Sequence, residues 1–147
     1  MEQKYSKGDI VLAALAAANG AEHSPVQIQK ILFLIDKKIA TDLGGPFFDF
    51  IPYDYGPFDR AIYDVLDELA SKGFVEVIAY PDLRWRKYRV NLAGQKTGEE
   101  ILTLLPPKVS DYIARLSEFV RSLSFAQLVS VIYNAYPEMK ANSVFRE

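Results

Sequence analysis

Tyr53-Asp54-Tyr55-Gly56-Pro57-Phe58-Asp59-Arg60-Ala61-Ile62-Tyr63-Asp64-Val65-Leu66-Asp67-Glu68-Leu69-Ala70-Ser71-Lys72-Gly73 contains a helix start, an amphipathic run and a helix stop. Proline in the first helical turn forfeits no hydrogen bond and brings its φ already set, so Gly56-Pro57 predicts the start. Phe58, Ile62, Val65, Leu66 and Leu69 then recur at helical spacing, with Asp59, Arg60, Asp64, Asp67, Glu68 and Lys72 on the other side. Two i, i+4 ion pairs are expected on that side, Arg60 with Asp64 and Glu68 with Lys72. Glycine tolerates the positive φ that follows a helix end, and Gly73 predicts the stop.

Upstream, Ser6 and Asp9 offer a cap and a first-turn acid to a helix built on Ile10, Val11, Leu12 and Leu15, ending at Asn19-Gly20. Ser24-Pro25-Val26-Gln27 is a capping box with proline just inside it. It opens a second helix whose stripe is Ile28, Ile31, Leu32, Ile35 and Ile39; Phe33 and Leu34 widen the stripe enough to predict a central core helix covered from two sides. Between these helices and the opening stretch, Phe47 to Tyr55 reads as an aromatic-rich loop or edge segment, because Pro52 argues against a central strand.

Downstream, Phe74–Tyr80 and Trp85–Val90 are β-branched and aromatic around a turn at Pro81–Arg84, which predicts a β-hairpin. Asn91 or Thr97 caps the next helix, and Pro106-Pro107 stops it. Val109, Tyr112, Ile113, Leu116, Val120 and Leu123 mark a further helix. Ser124 to Gln127 is a capping box for the last one, which carries Phe125, Leu128, Val129, Ile132 and Tyr136. Residues 138–147 are polar enough to predict a loosely held tail.

Three helices followed directly by a two-stranded hairpin is the order of a winged helix. The expected class is therefore mainly α with a small β-hairpin (α+β): one domain over 1–147, with core and wing in 1–92, added helices in 93–137 and a tail. A chain of 147 residues, half of them hydrophobic, can form one core of useful size. The net charge of -2 gives no global pull toward nucleic acid or anionic membrane, so partners must be argued locally. Absence of cysteine excludes disulfides, thiol nucleophiles and thiolate metal sites. The polar N-terminus lacks a secretory pattern, and the apolar run Ile10–Ala18 is too short to span a bilayer, so a cytoplasmic chain without membrane contact is expected.

Ile28-Gln29-Lys30-Ile31 followed by Tyr55-Gly56-Pro57 resembles the Panacea or SocA-like antitoxin family and its uncharacterised winged-helix relatives in bacteria and archaea. That family pairs a Leu-Gln-Lys-Leu helix with a downstream Tyr-Gly-Pro, and the resemblance covers roughly residues 24–75. It implies a binding protein without catalysis, whose partner in antitoxin members is a toxin. It marks Gln29, Lys30, Tyr55, Gly56 and Pro57 as motif residues.

Read from the residues alone, Gln29 and Lys30 either tie the Tyr-Gly-Pro loop by hydrogen bonds or contact a partner. The acidic third helix is a poor reader of DNA, because phosphate repels it. Tyr53, Tyr55, Phe58, Asp59, Asp64, Asp67 and Glu68 are instead a candidate protein interface, the aromatics as interface anchors. Arg84, Trp85, Arg86, Lys87 and Arg89 are candidate nucleic-acid contacts, since cations interleaved with aromatics suit phosphate and stacking. Strict alternation would put Arg86 with Tyr88 on one face and Trp85, Lys87 and Arg89 on the other. The same charges also suit plain edge protection. A homodimer through residues 108–136 is a further expectation.

No catalytic motif, metal set or cofactor site is expected. His23 reads as an ordinary surface residue without a second ligand. Asp49, Asp54 and Asp59 read as turn and cap residues in preference to a divalent-ion site.

Overall fold

The structure, a computed structural model, describes residues 4–145. Helix α1 (Lys7–Ala16) is capped by Ser6, whose hydroxyl accepts from the Asp9 amide at 3.1 Å. Ile10 to Ala16 are all buried, the condition of a helix that is apolar all round. Helix α2 (Pro25–Lys38) starts at the Ser24 box, with the Gln27 side chain returning to the Ser24 amide at 2.9 Å. It buries every residue from Ile28 to Ile35, so the core has two central helices where the sequence suggested one. A one-turn helix α3 (Ala40–Leu43), absent from the sequence reading, closes on Gly44 with φ 81°.

The next segment is extended and edge-like as expected, but the helix start after it departs from expectation. Ile51–Tyr53 (β1) and Gly56–Phe58 (β2) form a short antiparallel hairpin in which Pro52 faces Pro57. The helix that Pro57 was expected to open begins only at Ala61 (α4, Ala61–Ser71). Gly56 has φ 107°, which bends the chain back on β1 before it can enter the helix. Phe58 therefore lies on a strand and stacks on Tyr53, ring centroids 4.7 Å apart. The Asp59 carboxylate, not the proline, receives the Ala61 amide at 2.9 Å. Of the two expected helix-surface pairs, Glu68–Lys72 forms at 2.8 Å, and none joins Arg60 to Asp64 among the described residues.

Strands β3 (Val75–Ile78) and β4 (Lys87–Val90) pair antiparallel with Val75 opposite Val90. His23 adds a one-residue bridge on the other side of β4, its amide and carbonyl exchanging hydrogen bonds with Tyr88 at 2.8 and 3.0 Å. The order α1, bridge, α2, α4, β3, β4 is that of a winged helix, with α3 and the β1–β2 hairpin inserted before its third main helix. The fold class is mainly helical with a small hairpin wing.

Asn91, not Thr97, caps α5 (Leu92–Leu104): it accepts from the Gly94 amide at 2.8 Å, while Thr97 lies inside the helix. Helix α5 lies against α1, where Gly98 lets it approach the Ala16 side chain and the Leu12 carbonyl. Helices α6 (Pro107–Ser122) and α7 (Phe125–Ala135) pack on α2, and Ser124 makes the expected capping box.

The tail is held through Phe145 where looseness was expected; positions 146–147 of that expectation lie outside the described residues. A 3-10 turn (Pro137–Lys140) buries Met139, the Asn142 side chain donates to the Pro52 carbonyl at 3.1 Å, and the Val144 amide donates to the Asp54 carbonyl at 2.9 Å. Phe145 packs edge-on to Phe125 and Tyr133. Apolar contacts at Met139 and Phe145 supply what a polarity count misses. Among the described residues no helix is long and apolar enough to cross a membrane.

Candidate functional site

The two motif segments, 27 residues apart, meet. Lys30 sends its Nζ to the Pro57 carbonyl at 3.2 Å, and Gln29 grips the Asp59 backbone from both sides: Nε2 donates to its carbonyl at 3.0 Å and Oε1 accepts its amide at 2.9 Å. Both side chains are buried, at 2% and 3% exposure. These bonds realise the loop-tying alternative, because a buried amide or amine needs partners and the β2–α4 junction offers unpaired backbone groups. A lysine so enclosed loses the hydration of its charged form, and burial lowers its pKa to about 7. Gly56 fits between: a side chain there would sit 3.3 Å from the Tyr133 ring and 3.5 Å from the Lys30 stem.

Above Lys30 lies a cavity of about 150 Å³, walled by Gln29, Tyr53, Tyr55, Phe58 and Tyr63. Beside it runs a wider groove of about 520 Å³ between the start of α2, the wing and the start of α7, lined by Val26, Tyr55, Leu83, Trp85, Lys87 and Phe125. Pro25, Val26 and Tyr55 belong to both. Tyr55, Trp85 and Phe125 are 40%, 48% and 46% exposed, so three aromatics from three separate elements converge on one surface. Phe125, read from sequence as part of a core stripe, was missed; its place at the first position of α7, where a helix end meets solvent, is the signal that could have found it. Tyr63, on α4, was also missed as a pocket wall.

The acidic candidates divide. Asp64, Asp67 and Glu68 are exposed on α4, while Asp59 is half-buried and engaged by the Asp49 and Ala61 amides at 2.8 and 2.9 Å. Asp59 thus supports the loop and does not belong to the exposed acidic face. Among the described residues no cluster of three or more His, Cys, Asp or Glu could hold a metal ion.

The wing charges divide as well. Arg89 donates from Nε to Glu76 at 2.8 Å and lies 3.9 Å from Glu22, whose carboxylate also accepts from the Tyr80 hydroxyl. Lys87 lies over the Tyr80 ring, 5.8 Å from its centroid. Arg84, Trp85 and Arg86 are all exposed in the turn between the strands, and neither arginine forms an ion pair among the described residues. The expected partition of faces holds for Tyr88, which is buried, and for Lys87 and Arg89, which point outward; it fails for Arg86, because β4 begins after it.

His23 is fully buried, against the surface placement expected of it, and neither ring nitrogen has a partner. Burial, with the Arg121 charge adding, lowers its pKa to about 4. Its backbone bridge to β4 draws the side chain inward, a tertiary constraint without a local sequence signal.

No protein-family model matches this chain. No curated protein matches it either. Among solved structures, a cysteine-to-serine mutant of MarR from E. coli is similar at 21% identity and TM-score 0.44, over 88% of this chain and 74% of that one. The same mutant with operator DNA is similar at 21% and 0.43, over 88% and 71%. The organohalide-sensing transcriptional regulator RdhR in its ligand-free form is similar at 9% and 0.43, over 96% and 72%. The winged-helix assignment rests on this chain's own element order and bridge pattern.

Proposed function

We propose that this chain is a non-enzymatic winged-helix regulatory module that holds nucleic acid by the tip of its wing. The observation that carries this reading is the pair Arg84 and Arg86, exposed and without acidic partners, on either side of exposed Trp85. Two free guanidinium groups match phosphate oxygens and an indole offers a stacking face. Helix α4 would stay out of the groove, since Asp64, Asp67 and Glu68 repel the backbone it would approach. Titration of labelled duplex DNA at low and moderate salt tests this. Replacing Arg84 and Arg86 with serine should lower the slope of log affinity against log salt by about 0.9 for each phosphate the wing no longer neutralises. An unchanged slope and affinity would remove the wing from the reading.

The groove favours a second reading, a protein partner docked on Tyr55, Trp85 and Phe125, since exposed aromatics that converge make interface hot spots. This is the form in which the antitoxin-like resemblance would act, with a toxin as partner and the acidic face of α4 as its flank. A homodimer through α6 and α7 would cover Phe119, 46% exposed on α6. Co-purification from the native host that returns no protein partner, and a monomeric mass in solution, would count against these two assemblies respectively.

A further inference from the structure

Lys30 is the single buried lysine among the described residues. Its amine has one acceptor, the Pro57 carbonyl, and no carboxylate within ion-pair distance. It lines a cavity of about 150 Å³, and a cavity of roughly that volume holds a benzene ring. The walls are mostly the rings of Tyr53, Tyr55, Phe58 and Tyr63, with Asp54 also lining the pocket and Tyr53 and Tyr55 47% and 40% exposed at the mouth. The backbone tie of Gln29 explains why that side chain is buried. For Lys30 the single bond to Pro57 leaves further valences of the amine unused beside an opening.

The chemistry of the walls narrows the occupant. A cation would meet Asp54 and the ring faces but would leave the Lys30 amine, a donor and a nucleophile, without a role. A free carboxylate would have to leave water for aromatic walls and a single amine, and desolvating a charge is costly without several partners. A neutral carbonyl compound pays no such penalty, its apolar body suits the rings, and its oxygen accepts from the amine.

We propose that this pocket captures ring-sized aldehydes as a reversible imine on Lys30 Nζ. The amine lone pair adds to the carbonyl carbon, a C–N bond forms, and the carbonyl π pair moves to oxygen. A proton passes from nitrogen to that oxygen, giving a carbinolamine. Loss of one water leaves the C=N bond, with no oxidant or reductant involved; hydrolysis runs the same steps backward. Desolvation assists the first step, since it favours the neutral, nucleophilic amine near neutral pH. An unprotonated imine nitrogen carries no hydrogen, so capture also releases the Pro57 carbonyl and loosens the hairpin from α2. None of this depends on the wing.

The test treats the native full chain at pH 7.5 with benzaldehyde and sodium cyanoborohydride, then locates benzyl adducts by peptide mass spectrometry. Lys30 should be labelled about tenfold or more faster than the exposed lysines, the ratio that one pKa unit gives in free amine. The preference should vanish in urea. In Lys30→Arg, checked for its fold by circular dichroism, no lysine-bearing peptide should carry a fast adduct; the terminal α-amine, ordinarily less basic than a lysine side chain, labels alike in both proteins and is left out of the comparison. Labelling of Lys30 at or below the rate of exposed lysines in the native chain overturns the proposal. So does a fast adduct on any lysine of Lys30→Arg.

Discussion

Gln29 holds Asp59 as a neighbouring strand would: its amide donates to the Asp59 carbonyl at 3.0 Å and accepts the Asp59 amide at 2.9 Å. A side chain from α2 thus completes the backbone hydrogen bonding where β2 turns into α4. Gln29→Ala leaves the Asp59 amide without its acceptor and takes one of two donors from the Asp59 carbonyl, which keeps the Ile62 amide at 3.2 Å. At about 1–3 kcal/mol for a buried group left unsatisfied, the variant should lose about 1–3 kcal/mol. Gln29→Glu keeps the acceptor but sets a carboxylate against the Asp59 carbonyl, and should fall at least as far. Urea denaturation of the three proteins measures this; a loss under about 0.5 kcal/mol, on the order of an ordinary surface substitution, would show that the pair holds nothing.

Lys30 makes the fold more stable as pH rises above neutrality. Its folded pKa of about 7 lies below the ordinary lysine value of 10.5, so between these values the unfolded chain binds more protons than the folded one. Stability must then increase with pH in that window. Relative to Lys30→Met, the wild type should gain about 2 kcal/mol between pH 7 and pH 9, at up to about 1.36 kcal/mol per unit. Parallel pH profiles for the two proteins would mean that the amine is not desolvated.

His23 works at the acid end. Its folded pKa of about 4 lies below the ordinary 6.5, so the unfolded chain again takes up protons first and stability falls as pH drops through this range. About 3 kcal/mol should be lost between pH 7 and pH 4, and His23→Phe should lose less over the same interval. Because the His23 backbone is bridged to Tyr88, the wing should loosen with the ring's protonation. Amide exchange at Tyr88, protected at pH 7, should then rise at pH 4.5 beyond the intrinsic effect of acid.

What was legible in the sequence is what local chemistry decides. Ser6, Ser24 and Ser124 each announce a helix start, and all three form capping boxes. The Val75–Val90 hairpin and its basic turn follow from residue type and spacing. Pro57 misled because proline suits a strand edge as well as a first helical turn; only the pairing with Pro52 across the hairpin decides between them. His23 could not be read, since its burial comes from Tyr88, a partner far along the chain. The groove was half legible: Tyr55 and Trp85 were marked, but Phe125 and Leu83 join them only through tertiary packing.

Gly98 shows how close two helices must come. A Cβ there would overlap the Ala16 side chain and stand 2.9 Å from the Leu12 carbonyl, which belongs to the buried run Ile10–Ala16 of α1 and cannot retreat. In an exposed helix Gly→Ala stabilises by up to about 1 kcal/mol. Here overpacking should reverse the sign and cost about 2–3 kcal/mol. A Gly98→Ala protein that melts higher than wild type would show that α5 does not seat on α1 as described.

Met139 and Phe145 make the last segment part of the site. The segment's bonds to Pro52 and Asp54 fix the β1–β2 turn, and that turn carries Tyr53 and Tyr55 to the mouth of the Lys30 pocket. Met139, 8% exposed, is the apolar anchor of the clasp. Met139→Ala should cost about 2–3 kcal/mol, at the lower end for a buried methionine because the site lies near the surface. The destabilisation should also be uneven. Amides of Tyr55 and Gly56 should exchange faster than those of α1, since the turn loses its outer support while α1 keeps its own. Equal acceleration at both places would mean that the tail stabilises the whole fold without shaping the pocket, and no change at either would mean that it is not held at all.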